Sequence, residues 1–540
     1  MALGPAGERS GSRSNDMPIT PDFRAMALEF GLDDRFPEDV LSEVREYQAK
    51  PGIDDAALVD LTALPFVTID GAGTRDLDQA LHLASESGGI RLHYAIADAS
   101  YYVAPGTALF REALRRGSSF YLPRYSVPML PRALSEGLVS LAPDANRRAL
   151  VFDVRLDERA TVTSVTIVRA RVRSRARLTF DQVDGLFSNP ADSPLATHEA
   201  ANSLALFSRL GPLLADHEER TQVVRYQRTE AGVRLARDGS VAVYRSSRGL
   251  ADLANEQLSI LCNGLGARWF AGAQTDFVEP IYRVHPTPGP ERLQSFEKLV
   301  RQIVLRRALP AEPWLYECDG GLDLAAYLER LPTDGPGKRL AQALHRQAMV
   351  LNGRSSFTSA PAGHFGVGEA VYSRFTSPMR EVVGIFCHKE AFERLAGRGA
   401  QPREVDEAVR AQVIDAANRA KDLQRRLGRE VGRAMSRVVL GADAAHPVQR
   451  RPRRRGTVMG ISSSVVYVQL DDPPIDVVAP LRDEPSGSGD VRFEVVDDGG
   501  RLRGRDSLET ICSLGDEVVV YAASDSGVVL VSAEAASPLS

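Results

Sequence analysis

Phe66-Val67-Thr68-Ile69-Asp70-Gly71-Ala72-Gly73-Thr74-Arg75-Asp76-Leu77-Asp78-Gln79 is the stretch on which the reading of this chain turns. Its first four residues are apolar or β-branched and predict a strand, and Gly71 and Gly73 then let the backbone turn sharply. Asp76 and Asp78, two residues apart in an extended segment, share one face. Carboxylates gathered this closely repel one another, and each raises its neighbour's pKa unless a cation compensates. Magnesium suits such a group, being a hard ion that prefers carboxylate oxygens and keeps positions open for water and phosphate. Taken alone, the segment reads as a solvated turn after a strand. The rest of the chain decides.

The chain has 540 residues, 43% hydrophobic and 25% charged, with a net charge of −5. Such a length exceeds one ordinary domain and allows several cores. The acidic balance argues against a protein coated in nucleic acid, yet it permits a local basic channel. Cys262, Cys318, Cys387 and Cys512 are scattered with no CxxC pair. They predict buried thiols in a reducing compartment, and neither a disulfide frame nor a zinc site. No apolar run approaches the roughly 20 residues of a membrane span. Residues 1–20, rich in Gly, Ser and Arg, lack the apolar core of a secretory signal. The expectation is a cytoplasmic protein with no membrane partner and a disordered leader over 1–20.

Apolar spacing predicts two short helices over 21–60 (Phe23, Met26, Phe30, then Val40, Leu41, Val44). From Leu64 to about Arg177 the pattern turns to strands: FVTI, RLHYAIADASYYV, ALVFDVRL and VTIVRARV. One helix interrupts them, from about Thr107 to Arg116. Residues 181–223, 250–308 and 403–436 read as helical. A basic stretch ending in Arg450-Arg451-Pro452-Arg453-Arg454-Arg455 marks a linker over 441–455, either a phosphate contact or a solvated connection. Beyond it, about five short strands with Gly/Asp turns over 456–536 predict a small barrel, with the OB-fold as leading candidate.

Several motifs are strung along the chain in a fixed order. Pro65 through Gly71 and Arg75-Asp76-Leu77-Asp78 come first, then Ala95-Ile96-Ala97-Asp98-Ala99-Ser100 and Arg116-Gly117-Ser118-Ser119-Phe120-Tyr121-Leu122-Pro123. Pro128-Met129-Leu130-Pro131, Leu134-Ser135 and Ser140-Leu141 follow, then Tyr282-Arg283-Val284-His285, Gly363-His364-Phe365-Gly366 and Thr376-Ser377-Pro378-Met379-Arg380. In this order they resemble the ribonuclease II/ribonuclease R family, RNB-domain exoribonucleases that work 3′→5′, from about Asp60 to Ala533. The resemblance implies an α+β fold: an RNB-type catalytic domain over 61–440, with a mixed β-sheet and surrounding helices, then an S1-like OB-fold barrel that grips RNA.

It also implies a magnesium-dependent enzyme, with manganese a possible substitute, that trims single-stranded RNA to nucleoside 5′-monophosphates as a monomer. Asp70, Asp76 and Asp78 fall on three of the family's four acidic positions and are the implied metal ligands. Asp78 is the residue most needed for chemistry, Asp76 assists, and Arg380 stabilises charge on the phosphate. Tyr121 falls where a tyrosine stacks on the terminal base. Glu256 lies where the family carries two consecutive acids before a helix ending in Asn, here Asn263. Arg453 and Arg454 are further RNA-contact candidates, and Tyr467 and Phe493 candidate stacking platforms. His285, His364 and His388 read as packing or hydrogen-bonding residues. Three departures stand out: Gln79 at the fourth acidic position, Glu381 where a second basic residue is usual, and Gly384 where an Asp is usual. They keep a second reading open, an RNB-fold RNA-binding protein with impaired chemistry. Family members usually carry cold-shock barrels ahead of the catalytic domain, whereas the residues before Asp60 read as helical, so fewer anchoring contacts and a smaller salt dependence are expected.

Overall fold

The computed structural model describes residues 21–217, 229–235, 241–247, 249–273, 277–481, 493–523 and 527–531. The leader expected over 1–20 lies outside them. Both N-terminal helices are present, α1 (Phe23–Glu29) and α2 (Glu38–Ala49). Asp22 caps the first by accepting from the Arg24 and Ala25 amides at 3.0 and 2.9 Å. Next in the chain come β1 (Val59–Asp60), β2 (Phe66–Asp70), β3 (Gln79–Glu86), β4 (Gly89–Ala97), α3 (Ala108–Arg116), β5 (Phe120–Leu122), β6 (Tyr125–Val127), β7 (Asn146–Asp157) and β8 (Val162–Thr179).

Six of these strands make one mixed sheet in the order β1-β8-β2-β3-β4-β7. The 18-residue β8 pairs with β7 over Val162–Arg173 and in parallel with β2 over Ser174–Thr179, so the sheet closes on itself. Its interior and flanks hold the largest apolar core, with Phe66, Leu92, Ile96, Leu150 and Phe152 fully buried. Three strands that periodicity did not reveal lie near the acids: β3 follows the Asp/Gly loop, and β5, in a hairpin with β6, carries Tyr121. The run RLHYAIADASYYV is strand only as far as Ala97. Asp98 then caps a 3-10 turn, accepting from the Tyr101 amide at 3.2 Å, which ends the ladder.

The next elements are α4 (Phe180–Ser188), α5 (Ala201–Ala215), the antiparallel hairpin β9 (Thr229–Leu235) and β10 (Val241–Ser247), α6 (Leu250–Ala271), β11 (Tyr282–Val284) and α7 (Pro290–Arg307). Two expected helices are therefore corrected. The span from 181 breaks at Asn189-Pro190, and the span from 250 breaks after Ala271, where β11 pairs with a later strand. After them come α8 (Ala311–Trp314), α9 (Leu324–Arg330), α10 (Lys338–Leu351), β12 (Ser356–Thr358), α11 (Val382–Ala396) and α12 (Arg403–Ala444). The last is 42 residues long and carries α1 on its flank through Phe23, Ala27, Leu427 and Met435.

The C-terminal unit comprises β13 (Arg454–Ile461), β14 (Val465–Leu470), β15 (Asp476–Pro480), β16 (Phe493–Val496), β17 (Arg501–Gly504), β18 (Thr510–Ser513), β19 (Glu517–Ala522) and β20 (Val528–Leu530). The order β15-β14-β13-β19-β20, with a three-stranded sheet β16-β17-β18, is the OB-type arrangement that the short strands predicted. The basic linker is shorter than 441–455. Helix α12 runs to Ala444 and β13 already includes Arg454 and Arg455. The barrel rests on α7–α10, whose core of Phe296, Trp314, Tyr327 and Leu344 also takes in Met459 and Leu514 of the barrel. Ion pairs Arg306–Asp497 (2.7 Å), Arg307–Asp516 (2.6 Å) and Arg346–Asp476 (2.7 Å) rim this seam. Among the described residues no helix is long and apolar enough to cross a membrane.

Candidate active site

The loop between β2 and β3 carries the three aspartates, and its shape is set by residues far along the chain. Ser140 Oγ accepts from the Leu77 amide at 3.1 Å and donates to the Arg75 carbonyl at 2.7 Å. The Leu141 amide donates to the Leu77 carbonyl at 3.0 Å, and the Ala97 amide to that of Asp78 at 2.8 Å. The Ser140-Leu141 motif is thus the clamp that holds the acidic loop.

Asp70 ends β2. Its Oδ1 accepts from the Gly71 amide (2.8 Å) and Thr74 Oγ1 (2.9 Å). Asp76 is half-buried, and burial together with the charge of Asp78 raises its pKa. Asp78 is 1% exposed. Its Oδ2 accepts from Arg380 Nε at 2.6 Å and its Oδ1 from the Met379 amide at 3.2 Å. Burial raises its pKa, and Arg380 opposes that shift. Asp78 in turn raises the pKa of Arg380. The sequence places these two residues 302 positions apart, and the fold pairs the buried Asp78 with the partly exposed Arg380.

Arg380 is aimed by the turn Thr376-Ser377-Pro378. Ser377 sits at φ +116°, a backbone conformation that a residue with a Cβ adopts only under constraint. Asn263, 0% exposed on α6, supplies that constraint: its Oδ1 accepts from the Phe375 and Thr376 amides (2.7 and 3.1 Å), and its Nδ2 donates to Tyr372 Oη and Thr376 Oγ1 (2.9 and 2.8 Å). Sequence reading recognised Asn263 only as the end of a motif. Ser118 Oγ and the Ser119 amide both donate to the Arg380 carbonyl (3.0 and 2.9 Å), which ties in the segment leading to Tyr121. The Tyr121 ring is 62% exposed, while its hydroxyl lies 3.5 Å from Asp76 Oδ2. Burial of that hydroxyl and the charge of Asp76 push its pKa up to about 12. A cleft opens in front of Asp76, walled by Tyr121, Arg132, Glu136 and Met379.

Gln79 turns away from the aspartates. Its Oε1 accepts from Tyr94 Oη and from Ser259 Oγ (3.3 Å). Glu256, three residues before Ser259 on α6, is exposed. Neither Arg453 nor Arg454 joins the acids. The Arg453 guanidinium lies over the Tyr521 ring at 4.4 Å, and Arg454 is held by Asp443 (2.6 and 3.2 Å) and the Asp472 carbonyl (2.8 Å). Tyr467 is 39% exposed with Arg346 above its ring, whereas Phe493 packs against the barrel core. Of the histidines, His388 Nε2 bonds the Phe375 carbonyl (3.0 Å) and His285 Nε2 that of Gly353 (2.9 Å). A second acidic group, Glu390, Glu393 and Asp406, surrounds Lys389, whose ammonium already sits 2.8, 3.0 and 2.6 Å from them.

The two departures in the Arg380 motif have structural counterparts. Glu381 is buried and paired with Arg374 (3.4 Å) and Lys421 (3.2 Å), and these cations hold its pKa down at about 2 despite burial. Gly384 packs so closely under Pro378 that an added Cβ would lie 2.8 Å from Pro378 Cα. Gly384→Asp therefore displaces the turn that aims Arg380. The expected cost is about 1–3 kcal/mol of stability with a loss of function, read by chemical denaturation. A variant as stable as the parent would show that the turn tolerates a side chain there.

The chain is 32% identical over 353 residues to ribonuclease R of Vibrio cholerae, a match covering 61% of this chain and 39% of that relative. It is 31% identical over 347 residues to ribonuclease R of Escherichia coli, covering 62% of this chain and 40% of the relative. The chain thus spans about two fifths of the length of these relatives. Its fold superposes on Mycoplasma genitalium RNase R, solved in complex with ribose-methylated single-stranded RNA, with a TM-score of 0.82 at 22% identity, covering 94% of this chain and 77% of that one. At that identity the likeness establishes a shared fold. The model of the RNB domain matches residues 58–389, well over half of the chain, which accordingly belongs to the RNB-domain family.

Proposed function

We propose that this chain is a magnesium-dependent 3′→5′ exoribonuclease that hydrolyses single-stranded RNA to nucleoside 5′-monophosphates. The observation that carries the reading is the ion pair between Arg380 and the buried Asp78, whose segment also bears Asp70 and Asp76, beside a cleft walled by Tyr121. Asp70, Asp76 and Asp78 would hold the divalent ion. They offer hard oxygen donors that are not drawn within 4.8 Å of one another in this structure, and burial and mutual repulsion already disfavour the charge on Asp76 and Asp78. When bound, the ion supplies a lowered pKa for the attacking water and neutralises charge on the phosphate. Manganese fits the same donors.

The side chains account for the remaining roles. Arg380 spends one N–H on Asp78 and another on Ser377 Oγ (3.3 Å), and its other donors face the phosphate, whose charge rises in the transition state. The exposed Tyr121 ring gives the terminal base a stacking face that serves any base, and so fixes which phosphodiester lies by the acids. Attack at that phosphorus breaks the P–O3′ bond. The remaining strand leaves with a 3′-hydroxyl, and the released nucleotide keeps a 5′-phosphate. The same reading has the protein act as a cytoplasmic monomer.

Chromatography of the products from single-stranded RNA and magnesium tests it. Nucleoside 5′-monophosphates are expected, and 3′-phosphates or cyclic phosphates would refute the mechanism. One observation favours a second reading, an RNA-binding protein with impaired chemistry: the Gln79 amide is committed to Tyr94 and Ser259. On that reading the parent yields no mononucleotide and Gln79→Asp yields none either, whereas a crippled enzyme gains activity on that substitution.

A further inference from the structure

Next to Arg380 lies a cationic cluster whose charge the fold leaves unbalanced. Arg283, Arg374 and Lys421 gather around the single carboxylate of Glu381, while Arg380 is already matched by Asp78. The contacts inside the cluster are long. Arg374 reaches Glu381 Oε1 and Ser377 Oγ at 3.4 Å each, Lys421 reaches Glu381 at 3.2 Å, and Arg283 reaches Ser355 Oγ at 3.3 Å. Arg374 Nε and Glu381 Oε2 are buried without a hydrogen-bond partner among the described residues. Groups this desolvated and this loosely bonded gain most from a strong acceptor. The cluster is also reachable, since the Arg374 and Lys421 side chains keep 24% and 23% exposure.

Its position identifies the acceptor. Arg374 and Arg380 approach the same hydroxyl, Ser377 Oγ, at 3.4 and 3.3 Å, so their guanidinium groups stand one hydroxyl apart. A strand whose scissile phosphate lies on Arg380 brings a neighbouring phosphate to Arg374. We propose that Arg374, with Lys421, binds the phosphodiester adjacent to the scissile one, and that Glu381 is a built-in counter-ion that holds these cations in place when no RNA is bound. This inference rests on the exoribonuclease reading and names a second phosphate contact for it. Arg374 is then a positioning residue, and Glu381 limits affinity by competing with RNA for the same cations.

The test is fluorescence-anisotropy titration of a labelled single-stranded RNA at several salt concentrations, in EDTA so that nothing is cleaved. The parent, Arg374→Gln, Glu381→Gln and the double variant are compared, with thermal unfolding as a check on folding. Arg374→Gln is expected to weaken binding roughly tenfold and to reduce the slope of log K against log salt by about 0.7, the contribution of one phosphate contact on a single strand. Glu381→Gln is expected to tighten binding. The double variant removes one charge of each sign and so keeps the net charge of the cluster, with Lys421 and Arg283 as its remaining cations; once thermal unfolding shows that it folds, it should still lack one phosphate contact in its salt slope. Recovery of parental affinity and slope in the double variant would overturn the proposal, because Arg374 would then serve only to neutralise Glu381. An unchanged Arg374→Gln would overturn it as well. A parent that binds no RNA would refute the exoribonuclease reading itself.

Discussion

Asp78→Asn is expected to lower the rate of RNA hydrolysis by at least about 10³-fold while leaving RNA affinity unchanged or slightly higher. The substitution keeps size and hydrogen-bonding capacity, so the Met379 amide retains an acceptor. What disappears is the charge that pairs with Arg380 and that, on the proposed mechanism, serves the metal ion. Arg380 keeps 37% side-chain exposure, so its guanidinium is not left stranded in an apolar interior and the fold persists. Affinity should not fall, because the lost charge repels phosphate. Single-turnover cleavage at saturating enzyme, beside a binding titration in EDTA, separates the two effects. A variant that cut at the parental rate would remove Asp78 from the chemistry. A variant that lost binding in step with rate would make the residue structural.

Arg380→Lys should cost about 10²–10³-fold in kcat with KM altered less than about fivefold. The conservative change keeps the charge and discards the geometry. The guanidinium engages Asp78 through Nε at 2.6 Å and Ser377 through a terminal nitrogen at 3.3 Å, with donors remaining for the phosphate. An ammonium is a compact point charge without the planar donor fork that lets a guanidinium serve two fixed partners and a phosphate at once. If Lys restored full activity, Arg380 would be acting through charge alone. If KM rose while kcat stayed constant, it would bind the ground state and the transition state equally.

The acidic loop was legible because its residues are neighbours in sequence and their mutual repulsion follows from type and spacing. The strand before it, the helix over Ala108–Arg116 and the C-terminal barrel followed from periodicity and turn residues. What the sequence withheld depends on partners hundreds of residues away. Asn263 pins the turn before Arg380 across 112 and 113 positions, and Ser140 clamps the Asp loop across 63 and 65. Neither residue advertises this by its immediate neighbours. Glu381 read as the loss of a positive charge at the site. The structure sets Arg374 and Lys421 against it, so the surroundings stay cationic. Arg454 read as an RNA-contact candidate, but Asp443 at the end of a helix that runs further than expected pairs with it. Gln79 stands at an acidic position in the motif, yet its amide bridges Tyr94 and Ser259.

The most direct measurement follows a 5′-labelled single-stranded RNA with magnesium on a sequencing gel. The account predicts a ladder of labelled products that shortens one nucleotide at a time from the 3′ end and disappears in EDTA. Labelled mononucleotide released at the outset, or RNA that stays full length while shifting on a native gel, would contradict it.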